Sequence, residues 1–253
     1  MGGLFVGGDT EVGNGWRVGG ALGYTEGKIK VDDRSSKSDV DSYSVALYGG
    51  NEWQQGRGTV NFLAGVGYTR HDIDTRRNVN VGGSQTLKAD YHANSMQLFT
   101  ELGYAVPAGV NSTVEPYLGL AWINQRAKGF EESGGSAALS GRSSSDDITT
   151  FTLGLRGKTA VELGGDKQAA LYGGLGWRHA AGDVDTSRSL AFIEGNGAAF
   201  QVAGAPIAKN AAVLDLGAEM SVGRNTALGL SYGGQFGNGN TDHNGNLYLK
   251  VRF

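Results

Sequence analysis

The stretch WRVGGALGYT, residues 16–25, decides the fold class, because large and small residues alternate along it with a period of two. The side that carries the large apolar residues is formed by Trp16, Val18, Gly20, Leu22 and Tyr24. A period of two is typical of a β-strand whose two faces meet different surroundings. Ten residues is also about the length that a tilted strand needs to cross a bilayer. The stretch therefore predicts a membrane-spanning strand.

The same alternation recurs in eleven segments, from Leu4–Thr10 to Leu247–Phe253. The face opposite the large apolar residues is small or polar, and it includes charged residues at Arg17, Glu101, Glu115, Arg156, Arg178, Asp215 and Glu219. Charges on that face fit a water-filled lumen better than the packed core of a soluble sandwich. The pattern predicts an all-β chain that forms one transmembrane, antiparallel, up-and-down β-barrel domain over residues 1–253.

Two further features favour a membrane barrel. Aromatic residues such as Trp16, Tyr24 and Trp177 stand at segment ends, where barrels carry aromatic girdles. Short turns alternate with longer connections, and the latter are predicted to be extracellular loops at Gly27–Val40, His71–Asp90, Lys128–Asp147, Gly182–Asn210 and Gly237–Gly245. The charged run Lys28–Asp41, which overlaps the first of these, is interpreted as a solvated loop.

The strand count points to a missing element. Bacterial single-chain barrels have even numbers of strands, whereas eleven segments can be identified in this sequence. If the last strand runs down to a periplasmic Phe253, then Leu4–Thr10 also runs downward. We therefore predict an ascending strand before Leu4 that is not evident in this sequence.

Composition removes several function classes. The chain has 44 Gly, 3 Pro and no Cys among 253 residues, and its formal net charge is −3. The absence of cysteine excludes disulfide scaffolds, iron–sulfur clusters and thiol nucleophiles. A slightly acidic chain has no basic footprint for nucleic acid. No phosphate-binding loop or metal-ligand spacing is present, so the sequence predicts no cofactor and no metal.

Several ordered stretches resemble a known family. They are ELGY at 101–104, EPYLGLAW at 115–122, LGWRH at 175–179, FQVAGAPIA at 200–208, ALGLSYGGQFG at 227–237 and YLKVRF at 248–253. Together they are similar to the translocator (β) domain of monomeric autotransporters, which belong to type V secretion. The resemblance implies a twelve-stranded barrel in the outer membrane of a Gram-negative bacterium. It also implies an N-terminal helix that threads the barrel and continues into a secreted passenger.

The resemblance carries further expectations about partners. It implies export of the chain's own passenger domain, insertion by the outer-membrane assembly machinery, contact with the bilayer and lipopolysaccharide, and a monomeric state. The terminal strand resembles the signal that this machinery recognises, with its residues at Leu249, Val251 and Phe253. Neither the pore helix nor the first strand is evident here. In several members an Asn of that helix is cut inside the barrel, and that segment is not present to assign.

The lumen charges leave three interpretations open. They are screened ions in a water-filled pore, contacts that hold or guide a threaded segment, or carboxylates for intramolecular passenger cleavage. Apart from that cleavage, no enzymatic activity is expected. A diffusion porin, an outer-membrane hydrolase and an adhesin that binds through its loops are the alternatives for the whole domain.

The long segment 182–210 contains a second candidate site. Apolar arms flank a glycine-rich turn at 194–197, which predicts a β-hairpin that projects from the outer mouth. Apolar residues there would be costly to leave in water. We therefore predict a lip that contacts an emerging passenger, formed by Leu190, Phe192 and Phe200.

Three other motifs favour ordinary structural roles. Gly229–Gly233 matches the G-x-S-x-G hydrolase elbow but lies inside an alternating segment, where no strand–turn–helix can form. Asp242–Asn246 suggests an Asx/Gly turn rather than a calcium loop. The histidines fall at predicted strand ends or loops without a second ligand at useful spacing, at positions His71, His92, His179 and His243.

Overall fold

Two antiparallel sheets form the computed structural model, which describes residues 1–31, 36–80, 82–164, 167–194 and 198–252. The larger sheet has eleven strands: β1 (Gly2–Gly13), β2 (Trp16–Val31), β3 (Ser36–Gln55), β4 (Gly58–Asn80), β5 (Ser84–Pro107), β6 (Ser112–Ala127), β9 (Ser144–Gly164), β10 (Lys167–Gly182), β13 (Asn210–Ser221), β14 (Thr226–Gly237) and β15 (Asn240–Val251). The smaller sheet has four: β7 (Phe130–Glu131), β8 (Leu139–Gly141), β11 (Ser187–Phe192) and β12 (Ala199–Ala203). Within these ranges, no helix is long and apolar enough to span a membrane.

The larger sheet is an up-and-down meander, as predicted. Each strand pairs with the strands before and after it in the same sheet, and the eleven predicted strands are present. Among the described residues, β1 and β15 each have one unpaired edge. An unpaired edge cannot face lipid, because its backbone groups would lose their hydrogen bonds. Closure therefore needs these edges to pair with each other or with a further strand, and the twelfth strand stays a prediction.

The two faces of the curled sheet have opposite character. The convex face exposes a continuous set of large apolar side chains, for example Leu22, Leu47, Leu175, Leu230 and Leu247. Aromatic residues border this band on both sides. Trp16 and Trp53 lie 6.1 Å apart near the short turns, and the rings of Tyr24 and Tyr43 lie 5.4 Å apart at the other border. This arrangement matches the lipid-facing band and aromatic girdles of a membrane barrel.

The predicted long loops are wrong in form. At the end opposite the short turns, the strands run on through the predicted loops. There β2 ends only at Val31 and β3 already begins at Ser36. In the same way β4 ends at Asn80 and β5 begins at Ser84. The connection between β14 and β15 is only two residues long, at 238–239. The strands continue because backbone groups still pair beyond the membrane. Sequence patterning missed them because charged and polar residues are frequent there, and the large apolar residues no longer form the lipid-facing pattern. We call this end the extended end.

Most of the buried apolar residues lie at the extended end, although Tyr117 and Val213 are buried in the lumen of the membrane-spanning part. The smaller sheet contacts the inward face of β5 through the stacked rings of Phe130 and Tyr91, 5.1 Å apart, and Leu87 on the same face is 0% exposed. An isolated bridge between Lys88 and Ser133 joins the two parts. The smaller sheet therefore lies on the lumen side of the extended wall.

Candidate functional site in the lumen

Three charged residues meet at the centre of the concave face. Register places Glu115 of β6 directly opposite Arg156 of β9. Arg156 donates from Nε to Glu115 Oε2 at 3.0 Å and from Nη2 to Glu115 Oε1 at 2.9 Å. Its Nη1 donates to Glu101 Oε1 of β5 at 2.7 Å. One guanidinium thus holds two carboxylates, and bidentate pairing of this kind is geometrically specific.

Neighbouring groups fix this cluster in place. Asn61 donates from Nδ2 to Glu115 Oε1 at 3.0 Å. The guanidinium carbon of Arg156 lies 4.9 Å from the centre of the Tyr117 ring, within cation–π distance. Tyr117 in turn lies over Gly154, where a Cβ would stand 2.5 Å from the ring carbons. The glycine therefore creates the space that the tyrosine occupies.

The other predicted lumen residues are distributed along the same face. Arg178 and Asp215 line one cavity of about 800 Å³ together with the cluster. Arg178 donates to Gln235 Oε1 at 2.7 Å and to Thr152 Oγ1 at 3.3 Å. Its partners are neutral, so its charge is not compensated by a direct ion pair among the described residues.

The last two predicted lumen residues lie outside this cavity. Glu219 accepts a hydrogen bond from the Tyr248 hydroxyl at 3.1 Å. Arg17 donates a hydrogen bond to Asp9 on the edge strand β1, and it is not among the described residues that line the cavity. The structure thus brings together five of the seven predicted residues and leaves two nearer the short turns.

The cluster presents a polar wall with its charges already engaged. Both glutamates accept hydrogen bonds from Arg156, so neither needs an outside partner to lie in this environment. A wall of this kind can contact the hydrated backbone and polar side chains of another polypeptide without a large desolvation cost.

Replacing Arg156 with methionine is expected to destabilise the folded domain by about 1–3 kcal/mol, because two carboxylates are left without their donor. Urea unfolding in lipid vesicles measures the loss. Arg178→Met is the matched control and should cost less, since it leaves only neutral partners. Adding Glu101→Gln and Glu115→Gln to Arg156→Met should restore most of the stability. Equal losses for both arginines would contradict the cluster's role.

The predicted outer hairpin is formed by β11 and β12. Leu190 pairs with Phe200 across the ladder, and the rings of Phe192 and Phe200 lie 5.8 Å apart. Leu190 also pairs with Gly141 of β8, so the hairpin is part of the smaller sheet. The turn residues 195–197 lie outside the described residues. Contact with a passenger stays a prediction.

Sequence reasoning missed the residues that fix the smaller sheet. Arg77 of β4 donates from Nε to Glu132 Oε1 at 3.1 Å. The rings of Tyr91 and Phe130 stack 5.1 Å apart, and the guanidinium carbon of Arg188 lies 4.8 Å from each ring centre. These partners are dozens of residues apart in the chain, so no local pattern could have identified them.

The remaining motifs are located as follows. Residues 229–233 lie inside β14, which confirms that they form no hydrolase elbow. The turn predicted for residues 242–246 is wrong, because they belong to β15, whose ladder with β14 is continuous. His71 lies within β4, where it bonds to Ser42 at 2.8 Å and Ser95 at 3.0 Å, and not in a loop. The charged run from Lys28 forms mainly the β2–β3 hairpin, with residues 32–35 outside the described part.

The sequence profile of the family described as "Autotransporter beta-domain" matches residues 1–233. The chain belongs to this family. This β-domain is 37% identical to an extracellular serine protease of Serratia marcescens over 255 residues, which cover 99% of the chain and 23% of that protein. It therefore spans about a quarter of that relative's length.

Solved structures share the fold of this β-domain. The translocator domain of the autotransporter NalP from Neisseria meningitidis superposes with a TM-score of 0.74 at 19% identity, covering 98% of this chain and 79% of that one. The β-domain of the Bordetella autotransporter BrkA gives 0.71 at 20% identity, covering 99% and 90%. The family and fold establish this β-domain as an outer-membrane β-barrel of a Gram-negative bacterium with the function of a passenger translocator.

Proposed function

We propose that this β-domain exports the N-terminal passenger of its own polypeptide, with the extended end outside the cell and the short turns in the periplasm. The observation that carries the proposal is the contrast between an apolar convex face bordered by aromatic residues and a charged concave face around a cavity. The extended strands and the smaller sheet suit the outer side, because outer-membrane barrels have short periplasmic turns and longer extracellular segments.

The passenger's route follows from these surfaces. A polar segment passes along the wall formed by Glu101, Glu115 and Arg156 and leaves beside the smaller sheet. There the hairpin offers apolar side chains at Phe192 and Phe200, both more than a third exposed. An emerging passenger strand can cover them and so reduce the apolar surface in contact with water.

Further partners belong to assembly. Leu249 and Val251 are exposed on the lipid side of β15, in line with a terminal signal for the outer-membrane assembly machinery. Phe253, the third member of that signal, lies outside the described residues. We expect the β-domain to be a monomer that is surrounded by lipid and lipopolysaccharide. Catalytic activity belongs to the passenger: the name "Extracellular serine protease" describes a relative of which this chain matches 23%.

The test uses the full-length protein in its native bacterium, with an epitope placed upstream of residue 1. External protease should remove the epitope from intact cells while the barrel stays folded and heat-modifiable. Deletion of Phe253 should abolish this exposure by preventing assembly. An epitope retained in the periplasm beside a folded barrel would contradict the proposal and favour a porin, which should also show steady conductance.

Replacing Leu190, Phe192 and Phe200 with serine is expected to slow the appearance of the epitope several-fold, because an apolar contact for the emerging chain is lost. Barrel assembly should be unchanged, since these residues lie outside the larger sheet. The measurement is pulse-labelled export against barrel heat-modifiability. Val110→Ser, which changes an exposed apolar residue in the β5–β6 turn, is the control and should not affect export. Equal export rates for wild type and all variants would show that the hairpin does not assist the emerging passenger.

A further inference from the structure

Four cations form one continuous row across the extended strands. The register pairs Lys30 of β2 with Lys37 of β3, Lys37 with Arg76 of β4, and Arg76 with Lys88 of β5. Residues paired directly across antiparallel strands lie on the same face with Cβ atoms about 4.5–5.5 Å apart. We call Lys30, Lys37, Arg76 and Lys88 the cation row.

The row has few ion-pair partners among the residues that the structure describes. Lys37 pairs with Asp39 at 2.7 Å, but Lys30, Arg76 and Lys88 have no ion-pair partner among the described residues. All four side chains are exposed. Like charges directly opposite each other in a sheet are destabilising. Three adjacent contacts of this kind therefore favour an external polyanion that bridges several cations at once.

The row faces sideways, above the membrane. Lys30 lies six residues beyond the girdle residue Tyr24 on the same face of β2. Six residues span about 20 Å along a strand and about 15 Å of height at the tilt of a barrel strand. The opposite face of β5 is covered by the smaller sheet, which leaves only the outward face for a ligand.

The carboxylates below the row are largely occupied. Asp39 pairs with Lys37, and Asp72 pairs with Arg70 at 3.1 Å and with His92 at 2.7 Å. Asp74 lies directly opposite Asp90, and a hydrogen bond between the two carboxyls raises the pKa of Asp74. Asp39 and Asp72 therefore already have cationic partners of their own, which leaves them less available to the other cations of the row.

We propose that the cation row binds the phosphorylated saccharide headgroup of the outer-leaflet glycolipid. This contact fixes the height of the barrel in the membrane. The inference rests on the proposed function, because it requires the extended end to face outward. A neighbouring glycolipid presents several phosphates at the side of the barrel, whereas a free ion can bridge only two adjacent cations. Cations near an anionic membrane surface strengthen binding by about a factor of five each.

The test compares two double variants of the purified domain in detergent. Arg76→Gln with Lys88→Gln should weaken binding of phosphorylated lipopolysaccharide about twenty-five-fold, the product of two such factors. The matched control is Arg57→Gln with Lys209→Gln, which removes the same charges away from the row and should leave binding unchanged. Wild-type protein should bind enzymatically dephosphorylated lipopolysaccharide as weakly as the row variant does. Inorganic phosphate at millimolar concentration should not compete.

Each other outcome overturns the inference. Equal losses in both double variants would show unspecific charge attraction, and full competition by inorganic phosphate would show a site for the free ion. Tighter binding of a soluble sulfated polysaccharide than of lipopolysaccharide would indicate a different partner.

A labelling experiment separates this inference from the proposed function. The chain has no cysteine, so Lys88→Cys provides a unique thiol. Labelling by an impermeant maleimide in intact cells should confirm that the extended end is outside. If Lys88→Cys is labelled but Arg76→Gln with Lys88→Gln binds lipopolysaccharide as well as wild type does, only the proposed binding by the cation row is overturned. An unlabelled but folded protein would overturn the orientation itself.

Discussion

Replacing Leu47 with arginine is expected to lower the stability of the barrel by about 2–4 kcal/mol, the cost of a cation near the bilayer midplane on the lipid face. Leu47 is 61% exposed on the convex face of β3. It lies between the girdle residues Tyr43 and Trp53, four and six residues away. The measurements are urea unfolding in lipid vesicles and heat-modifiability in cells, and both should show loss of the folded form.

The adjacent residue provides the control. Ala46 faces the lumen and pairs with Ala21 and Gly67, so the neighbourhood has room for a long side chain. Ala46→Arg should therefore cost much less than Leu47→Arg, although the two positions differ by a single residue. Equal costs at the two positions would contradict the assignment of the convex face to lipid.

Replacing Gly154 with valine is expected to cost about 1–3 kcal/mol through overpacking. The new Cβ would stand 2.5 Å from the Tyr117 ring, and the ring cannot yield without moving away from Arg156. The clash therefore disturbs the charged cluster as well as the packing. The unfolding midpoint in lipid vesicles measures the effect.

Two further variants isolate the cause. Gly119→Val on the neighbouring strand β6 should cost little, because a Cβ there meets its nearest atom, Thr152 Cβ, at 3.8 Å. Gly154→Val combined with Tyr117→Ala should be less destabilising than the sum of the two changes, since neighbouring residues that share a clash are not additive. Full additivity would show that the ring and the glycine do not share this space.

Much of the larger sheet could be predicted because a membrane barrel gives each strand two different environments. The period of two placed Glu101, Glu115 and Arg156 on one face, and the structure brings these three together. Their pairing could not be predicted from the pattern alone. It depends on strand order and register, which place residue 115 opposite residue 156.

The extended end could not be predicted in the same way. Residues such as Lys37 and Arg76 belong to strands whose faces are both wet, so no alternation separates them from a loop. The partners that fix the smaller sheet, for example Arg77 and Glu132, are 55 residues apart. Only the folded chain brings them within hydrogen-bond distance.

The sequence by itself determined the fold class, the strand number of the larger sheet and the face that residues of the membrane-spanning segments occupy, because hydrophobic alternation is a local property set by lipid on one side and water on the other. The tertiary structure alone decided which charges pair, that strands replace the predicted loops, and that four cations align in one row. These features depend on register between distant segments, and register is fixed by backbone pairing across the whole sheet.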